Sequence, residues 1–223
     1  ETSQSIELGL NTNLFKNRID FGFTYYRVKD YNQIVELPTS ETSGFEKRYV
    51  NGNEYTTNGF EVTLGLTPIK NSNFLWKSQI NWSKYEKKLT QIFNNQERYG
   101  NLKLNDRSDS YYDYQWLKNS EGEVILDPNT GMPTRDAYVK KIGHLNPDWT
   151  FGFNNTFKYK NWNLDIGIDG SIGGVMRSEV IEKMWWGGKH PNSVQYRDQE
   201  YQGNGYVYIP NGVNVTGGAV QYD

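Results

Sequence analysis

The stretch Ile19-Asp20-Phe21-Gly22-Phe23-Thr24-Tyr25 alternates large apolar side chains with small or polar ones. Successive side chains of a β-strand point to opposite faces, so such a stretch has one apolar face and one polar face. The same alternation recurs in Phe60-Glu61-Val62-Thr63-Leu64-Gly65-Leu66 and in Trp162-Asn163-Leu164-Asp165-Ile166-Gly167-Ile168. A period of two over seven residues predicts strands, because an amphipathic helix would repeat its apolar positions every three to four residues.

Extending this search along the chain predicts six strands, at about residues 5–13, 18–31, 55–67, 74–87, 148–159 and 162–172. Among the positions assigned to the apolar face, only Ser78, Asn155 and Gly170 are neither apolar nor aromatic. Among those assigned to the polar face, only Tyr26 carries a large ring. The sequence therefore predicts an all-β, antiparallel sheet with two chemically distinct faces.

The connections between these strands alternate strictly between short and long. Residues 14–17, 68–73 and 160–161 are short, whereas residues 32–54, 88–147 and 173–223 are long. All short connections must then lie at one edge of the sheet, as the periplasmic turns of outer-membrane barrels do, with long extracellular loops at the other edge. Alternation alone also fits a soluble antiparallel sheet with one solvated face.

Aromatic rings near the predicted strand ends favour the membrane interpretation, because amphipathic rings accumulate at the headgroup level. These rings are Trp76, Trp149, Trp162, Tyr25 and Tyr159. Six open strands expose unpaired backbone groups that hydrocarbon does not tolerate, so the barrel must be closed by further strands. Both ends of the chain are polar and look like cuts, and we expect a segment of a longer polypeptide.

Composition excludes several classes of function. The net charge of −2 offers no footprint for nucleic acid, and the absence of cysteine excludes disulfides and thiolate metal sites. The two histidines, His144 and His190, are too few for a histidine-rich metal site. Asp165 and Asp169 lie four residues apart on one strand, about 13 Å, which is too far for a glycosidase pair. We therefore expect no enzyme, no catalytic residues, no metal and no cofactor.

Several short motifs resemble SusC/RagA-like TonB-dependent transporters. Leu14-Phe15-Lys16-Asn17-Arg18 followed by Tyr25-Tyr26 is similar to a hairpin motif of that family, and Asn58-Gly59-Phe60-Glu61 is similar to a strand start. The segment from Thr67-Pro68-Ile69 to Asn81-Trp82-Ser83 continues the similarity. Gly143-His144-Leu145-Asn146-Pro147-Asp148-Trp149 resembles a family motif in which Asn-Pro normally stands at residues 144–145. Tyr159-Lys160-Asn161 and Gly173-Gly174 complete a resemblance that covers roughly residues 1–175.

The resemblance implies the C-terminal half of a transmembrane barrel of about 22 strands with a plug in its lumen. It also implies location in the outer membrane, contact with outer-membrane lipid, energised import through the TonB complex and a SusD-like lipoprotein as a lid. The plug and the TonB-contacting segment would lie outside this chain. In this interpretation residues 1–172 contain the six barrel strands with their turns and loops, and residues 173–223 form an extracellular loop truncated before the next strand.

The long loops contain the candidate recognition residues. Exposed rings offer flat apolar faces to sugars or peptides, and they cluster at Tyr111, Tyr112, Tyr114 and Trp116, and again at Trp185 and Trp186. The alternative is that these rings pack the loops on one another or on a lid protein. Asp127-Pro128-Asn129-Thr130-Gly131 begins like a calcium loop, but Tyr138 stands where the bidentate Glu is required, which favours a turn between extended runs at 124–126 and 132–134.

These observations lead to one hypothesis and two rivals. The hypothesis is a segment of a TonB-dependent outer-membrane importer of oligosaccharides or peptides that works with a SusD-like surface lipoprotein. The first rival is a soluble or surface-attached all-β carbohydrate-binding module, which differs from the hypothesis in that protein rather than lipid covers the apolar face of the sheet. The second rival is a purely structural barrel with no transport, which would lack a plug in the sequence upstream of this chain.

Overall fold

A computed structural model describes residues 1–127 and 133–191 and the backbone of Gly212–Asn214. These described parts contain twelve strands and one α-helix. The strands are β1 (Thr2–Leu14), β2 (Ile19–Pro38), β3 (Lys47–Lys70), β4 (Phe74–Gln91), β5 (Arg98–Tyr99), β6 (Leu102–Lys103), β7 (Ser110–Asp113), β8 (Val124–Leu126), β9 (Lys140–His144), β10 (Trp149–Tyr159), β11 (Trp162–Ile172) and β12 (Gly212–Asn214), and the helix is α1 (Glu179–Trp186).

Six strands form one sheet in the order β1-β2-β3-β4-β10-β11, and every neighbouring pair is antiparallel. Within this sheet, each strand pairs with the sheet strand that precedes it along the chain. The residues between β4 and β10 are an insertion between two neighbouring strands of the sheet. The predicted all-β antiparallel class is confirmed. Among the described residues, no helix has both the length and the apolar character needed to cross a membrane.

The three tight connections all lie at the same end of the sheet, which we call the tight-turn end. The first is closed by the Arg18 N–H, which donates to the Leu14 carbonyl at 3.1 Å. Its three residues, Phe15, Lys16 and Asn17, all have left-handed backbone angles, with φ between 52° and 60°. We call the opposite end of the sheet the long-loop end.

Two strands are longer than the sequence indicated. The predicted loop at residues 32–54 is in fact mostly a hairpin, because β2 runs to Pro38 and β3 starts at Lys47. The register shifts between Asp30 and Gln33, so the alternation is broken there. Beyond this bulge one side of the hairpin buries Val35, which pairs with Val50, and the other side is tied by polar contacts, including an ion pair of Lys47 with Glu36 at 2.7 Å.

The chain divides into two compact units. The sheet unit comprises residues 1–111 and 143–175, and the loop unit comprises residues 112–142 and 176–223. In the sheet unit, the fully buried side chains lie toward the long-loop end, in the outer parts of β2, β3 and β4 and just after β4: Val35, Asn53, Leu89 and Ile92. The loop unit has its own buried residues: Leu117, Ile125, Leu126 and Asp136.

The long segment after β4 also protects an exposed strand edge. Strand β10 pairs with β4 only from Phe74 to Ser83, so the rest of β4 needs another partner. Residues 105–108 supply it: the Leu89 N–H donates to the Asp106 carbonyl at 2.9 Å, and the Asn105 N–H donates to the Leu89 carbonyl at 2.7 Å. This pairing satisfies backbone groups that would otherwise form an open edge.

Helix α1 was missed by the prediction that residues 173–223 form a loop. Its first turn is capped by the Ser178 hydroxyl, which accepts from the Ile181 N–H at 3.3 Å, and it carries Glu179 and Glu182 near its N-terminus. A serine followed by acidic residues and then by Gly187 is a helix signal that the sequence did contain. Strand β8 coincides with the predicted run at 124–126, whereas the predicted turn at 128–131 lies outside the described residues.

Candidate functional site

The six-stranded sheet has the two predicted faces. Cross-strand pairs such as Leu10 with Phe23, and Phe23 with Val62, place the alternating apolar residues side by side. This apolar face is uncovered: Leu8 is 65% exposed, Leu164 56% and Trp162 79%. Apolar surface of this extent in a single sheet requires lipid or protein against it.

The apolar face ends in a defined row toward the long-loop end. Tyr25 pairs with Phe60, and Phe60 pairs with Lys84. Two residues further along, and so on the same face, Arg27 pairs with Asn58. The rings of Tyr25 and Phe60 contact each other at 5.1 Å between centroids. Tyr25 was expected at a strand end, which is wrong, because β2 continues to Pro38. It instead lies at the border between the apolar face and a charged extension of the strands.

Two of the three polar exceptions on the apolar face lie opposite each other on neighbouring strands. Asn155 pairs with Ser78, and both are buried. The Trp76 indole Nε1–H donates to Asn155 Oδ1 at 3.0 Å, so the amide oxygen has a partner within the apolar face. The third exception, Gly170, leaves room for the Phe151 ring, which lies where a Cβ would be.

The polar face is formed by small side chains that hydrogen-bond to one another. Thr156 Oγ1 donates to Asp165 Oδ1 at 2.6 Å, and the hydroxyls of Ser83 and Thr150 lie 2.8 Å apart. The single large ring, Tyr26, lies over Gly59 of the neighbouring strand, where any Cβ would collide with it. The absence of a side chain at Gly59 therefore accommodates the one residue that breaks the small-polar pattern.

The polar face forms a concave surface at the tight-turn end, with a cavity of about 740 Å³. Arg18 donates to the Pro68 carbonyl at 3.1 Å, which links the first tight turn to the end of β3. The lining carries four cationic side chains and one carboxylate: Lys16, Arg18, Lys70, Lys77 and Asp20. This charge lies on the polar face, opposite to the apolar one.

The motif around His144 serves to anchor the loops. Arg107 donates to both carboxylate oxygens of Asp109 at 2.9 Å, and the Asn146 N–H donates to Asp109 Oδ2 at 2.8 Å. Burial raises the pKa of Asp109, but the hydrogen bonds from Arg107 and Asn146 outweigh it and hold the pKa below its usual range. His144 Nε2 is buried 3.0 Å from Asp148 Oδ1, and no hydrogen bond joins the two atoms.

The loop unit contains a second cavity, of about 550 Å³, and it includes two of the predicted recognition residues. Tyr114 and Trp116 line it together with Lys118 and Arg135. The Arg135 guanidinium carbon lies 3.6 Å from the centroid of the Tyr114 ring. Its remaining lining residues are Asp113, Gln115, Arg177 and Glu182.

The other predicted recognition residues lie elsewhere. Trp185 stacks on His190 at 4.5 Å between ring centroids, and Lys183 lies over the Trp186 ring at 4.7 Å. Tyr111 and Tyr112 belong to β7 and are partly buried. None of these four lines the cavity of Tyr114 and Trp116. Substrate binding by the six rings stays a prediction.

Sequence reasoning missed Lys118 and Arg135. Lys118 could have been predicted from the sequence, because Tyr114, Trp116 and Lys118 are at alternate positions of an extended segment in which Leu117 is buried. Arg135 could not have been predicted, because its pairing with Trp116 is an isolated bridge across a long insertion, and no local sequence pattern encodes such a bridge. In the described parts of the chain, no group of three or more potential metal ligands is found.

No family model matches the chain. It is 27% identical over 214 residues to TonB-dependent receptor P3 of Formosa agariphila, an alignment that covers 81% of this chain and 21% of that receptor. It is 24% identical over 203 residues to TonB-dependent receptor P26 of the same organism, covering 78% of this chain and 20% of the receptor. The chain thus spans about one fifth of the length of these relatives.

Solved structures of similar fold include the RagAB peptide transporter, with a TM-score of 0.58, 17% identity, and coverage of 75% of this chain and 20% of that one. The RagAB peptide importer in its open-open state gives a TM-score of 0.62 at 17% identity, covering 77% of this chain and 20% of that one. These similarities agree with the uncovered apolar face and the small-polar face opposite to it. The chain is thus similar in sequence to TonB-dependent receptors and similar in fold to the RagAB transporters, and both similarities support an outer-membrane β-barrel segment of the SusC/RagA-like kind.

Proposed function

We propose that this chain contributes barrel wall and surface loops to a TonB-dependent importer of oligosaccharides or peptides. The observation that carries the proposal is the single-layer sheet with lipid-compatible side chains on one face and small hydrogen-bonded polar side chains on the other. Such a sheet suits a wall between lipid and an aqueous or plugged lumen. The charged cavity at the tight-turn end lies on the polar face, which is the lumenal face in this proposal.

The orientation follows from the connections. The tight-turn end faces the periplasm and the long-loop end faces the outside, because barrels of this membrane have short periplasmic turns and long extracellular loops. The long connections then emerge on the side from which substrate arrives. We propose that residues of these connections contact substrate and a SusD-like lipoprotein, and that TonB acts through parts of the transporter outside this chain.

The rival carbohydrate-binding module is supported less well. A soluble two-layer sheet protein covers its apolar face with a second sheet or with helices. Here Leu8, Leu164 and Trp162 are all more than half exposed, and the rings that border the apolar face are followed by charged residues. The relatives are receptors and transporters rather than enzymes, and we propose a transport role without catalysis.

Uptake by intact cells tests the proposal. We expect deletion of the gene that encodes this chain to abolish uptake of one class of labelled oligosaccharide or peptide, and complementation to restore it. Dissipation of the proton-motive force should abolish the restored uptake, since TonB-dependent import is energised. Uptake that is unchanged by the deletion across both substrate classes would contradict the proposal.

A further inference from the structure

The cavity of the loop unit has one face on which two rings and two cations lie together. Tyr114, Trp116 and Lys118 are at alternate positions of an extended segment, and the intervening Leu117 is only 4% exposed. Arg135 is bridged to Trp116 in an antiparallel pair, which places it on the same side. We call Tyr114, Trp116, Lys118 and Arg135 the ring–cation face.

Arg135 is oriented by a ring rather than by an ion pair. Its guanidinium carbon lies 3.6 Å from the centroid of the exposed Tyr114 ring, so the ring covers the flat face of the guanidinium. A guanidinium held in this way keeps its in-plane N–H groups available for a planar, bidentate acceptor. Among the described residues, no carboxylate lies within ion-pair distance of Arg135 or of Lys118.

The acidic residues of the cavity lining are already engaged. Glu182 accepts two hydrogen bonds from Arg177, at 2.7 and 3.0 Å. Asp113 Oδ1 accepts from the Tyr114 N–H at 2.8 Å. With Arg177 paired to Glu182, the cavity lining has two further cations, Arg135 and Lys118, and one further carboxylate, Asp113, which is not within ion-pair distance of either. The ring–cation face is therefore a cationic surface beside two apolar rings.

We infer that the ring–cation face binds a carboxylate carried by the substrate, with Arg135 and Lys118 as its ligands and the rings of Tyr114 and Trp116 against the adjoining apolar part. This inference rests on the proposed import function and specifies its substrate. Two sources share the required chemistry: a uronic-acid unit of an oligosaccharide and the C-terminal carboxylate of a peptide. A neutral substrate would use the rings and leave both cations unmatched.

Matched probes separate these sources. We would titrate the intact receptor in detergent with a trigalacturonate and its methyl ester, and with a tripeptide Ala-Ala-Phe and its C-terminal amide. For one pair, the free acid should bind at least about tenfold more tightly than its neutral partner, and added salt should reduce the difference. The pair that shows the preference identifies the source of the carboxylate.

Variants assign the preference to the ring–cation face. Arg135→Gln should bring the acid-to-neutral affinity ratio close to one, and Lys118→Gln should reduce it. Arg135→Lys should keep part of it, because it retains the charge and loses the bidentate geometry. Arg98→Gln removes an exposed arginine outside the cavity and should leave the ratio unchanged. The ratio is measured within each variant, so a loss of folded protein does not alter it.

The inference and the proposed function fail differently. If wild-type receptor binds or imports the probes but the ratio is near one for both pairs, carboxylate recognition is wrong and import stands. A ratio that persists unchanged in Arg135→Gln and Lys118→Gln would likewise overturn the inference. If the deletion strain still takes up all four probes at the wild-type rate, the proposed function itself is wrong.

Discussion

Trp76 and Asn155 lie diagonally across the β4–β10 pair on the apolar face, and the indole N–H donates to the amide oxygen at 3.0 Å. In lipid, neither polar group would find water, so each depends on the other. The hydrogen bond explains why an asparagine occupies a face that is otherwise built from apolar and aromatic residues.

This contact yields a first prediction. Asn155→Val leaves the indole N–H unpaired and should destabilise the intact protein by about 1–3 kcal/mol. The double variant Trp76→Phe/Asn155→Val removes both polar groups and should be less destabilised than the sum of the two single changes. The measurement is denaturant unfolding in lipid vesicles. Additive effects would show that the two side chains are not coupled.

A second prediction concerns neighbouring residues of β2. Phe23 lies between Leu10 and Val62 on the apolar face, so Phe23→Arg places a cation in hydrocarbon and should cost about 2–4 kcal/mol near the midplane. Thr24→Arg inserts the same side chain on the polar face and should cost less. The measurement is the folding yield of each variant in vesicles. Equal yields would mean that Phe23 and Thr24 are assigned to the wrong faces of the sheet.

A third prediction uses the close approach of Tyr26 to Gly59. Gly59→Ala places a methyl group where the Tyr26 ring lies, so the ring must move and the folded barrel should lose stability. Tyr26→Ser should rescue Gly59→Ala, because the space is then free. Heat-modifiability on gels reports the folded fraction. Gly9→Ala is the control, since the Cβ there would make only an ordinary contact of 3.9 Å.

A fourth prediction is a pH dependence of the loop unit. The backbone N–H of Tyr138, and then the Lys140 ammonium at 2.9 Å, hold the pKa of Asp136 below its usual value. A depressed pKa in the folded state stabilises that state above the ordinary pKa of 3.8, and this stabilisation is lost as the pH falls through the lower, folded value.

Hydrogen exchange of residues 112–127, corrected for intrinsic rates, should therefore rise as the pH falls through the ordinary pKa of 3.8 and below it. Asp136→Asn should raise the exchange at the higher pH and weaken its dependence on pH. If exchange in the wild type and in Asp136→Asn responds identically to acid, the carboxylate does not stabilise this unit.

The sequence predicted the central parts of the six strands and their facing because both depend on a local period of two. The prediction stopped at residue 31 because the bulge after Asp30 breaks that period, and only a short apolar alternation around Val35 follows it. Helix α1 was missed although Ser178 and the following acidic residues mark its start. The pairing of Trp116 with Arg135 could not be predicted from the sequence, because it joins positions nineteen residues apart through tertiary structure.

The central claim is that one face of the sheet contacts lipid and the other contacts the lumen. Val62 and Thr63 are adjacent in β3, which is paired on both sides, and the chain has no cysteine of its own. A fluorophore attached to Val62→Cys or to Thr63→Cys in the intact receptor, reconstituted in vesicles with brominated lipid, reports direct lipid contact through quenching. We predict strong quenching at Val62→Cys and little at Thr63→Cys; equal or reversed quenching would contradict the barrel wall.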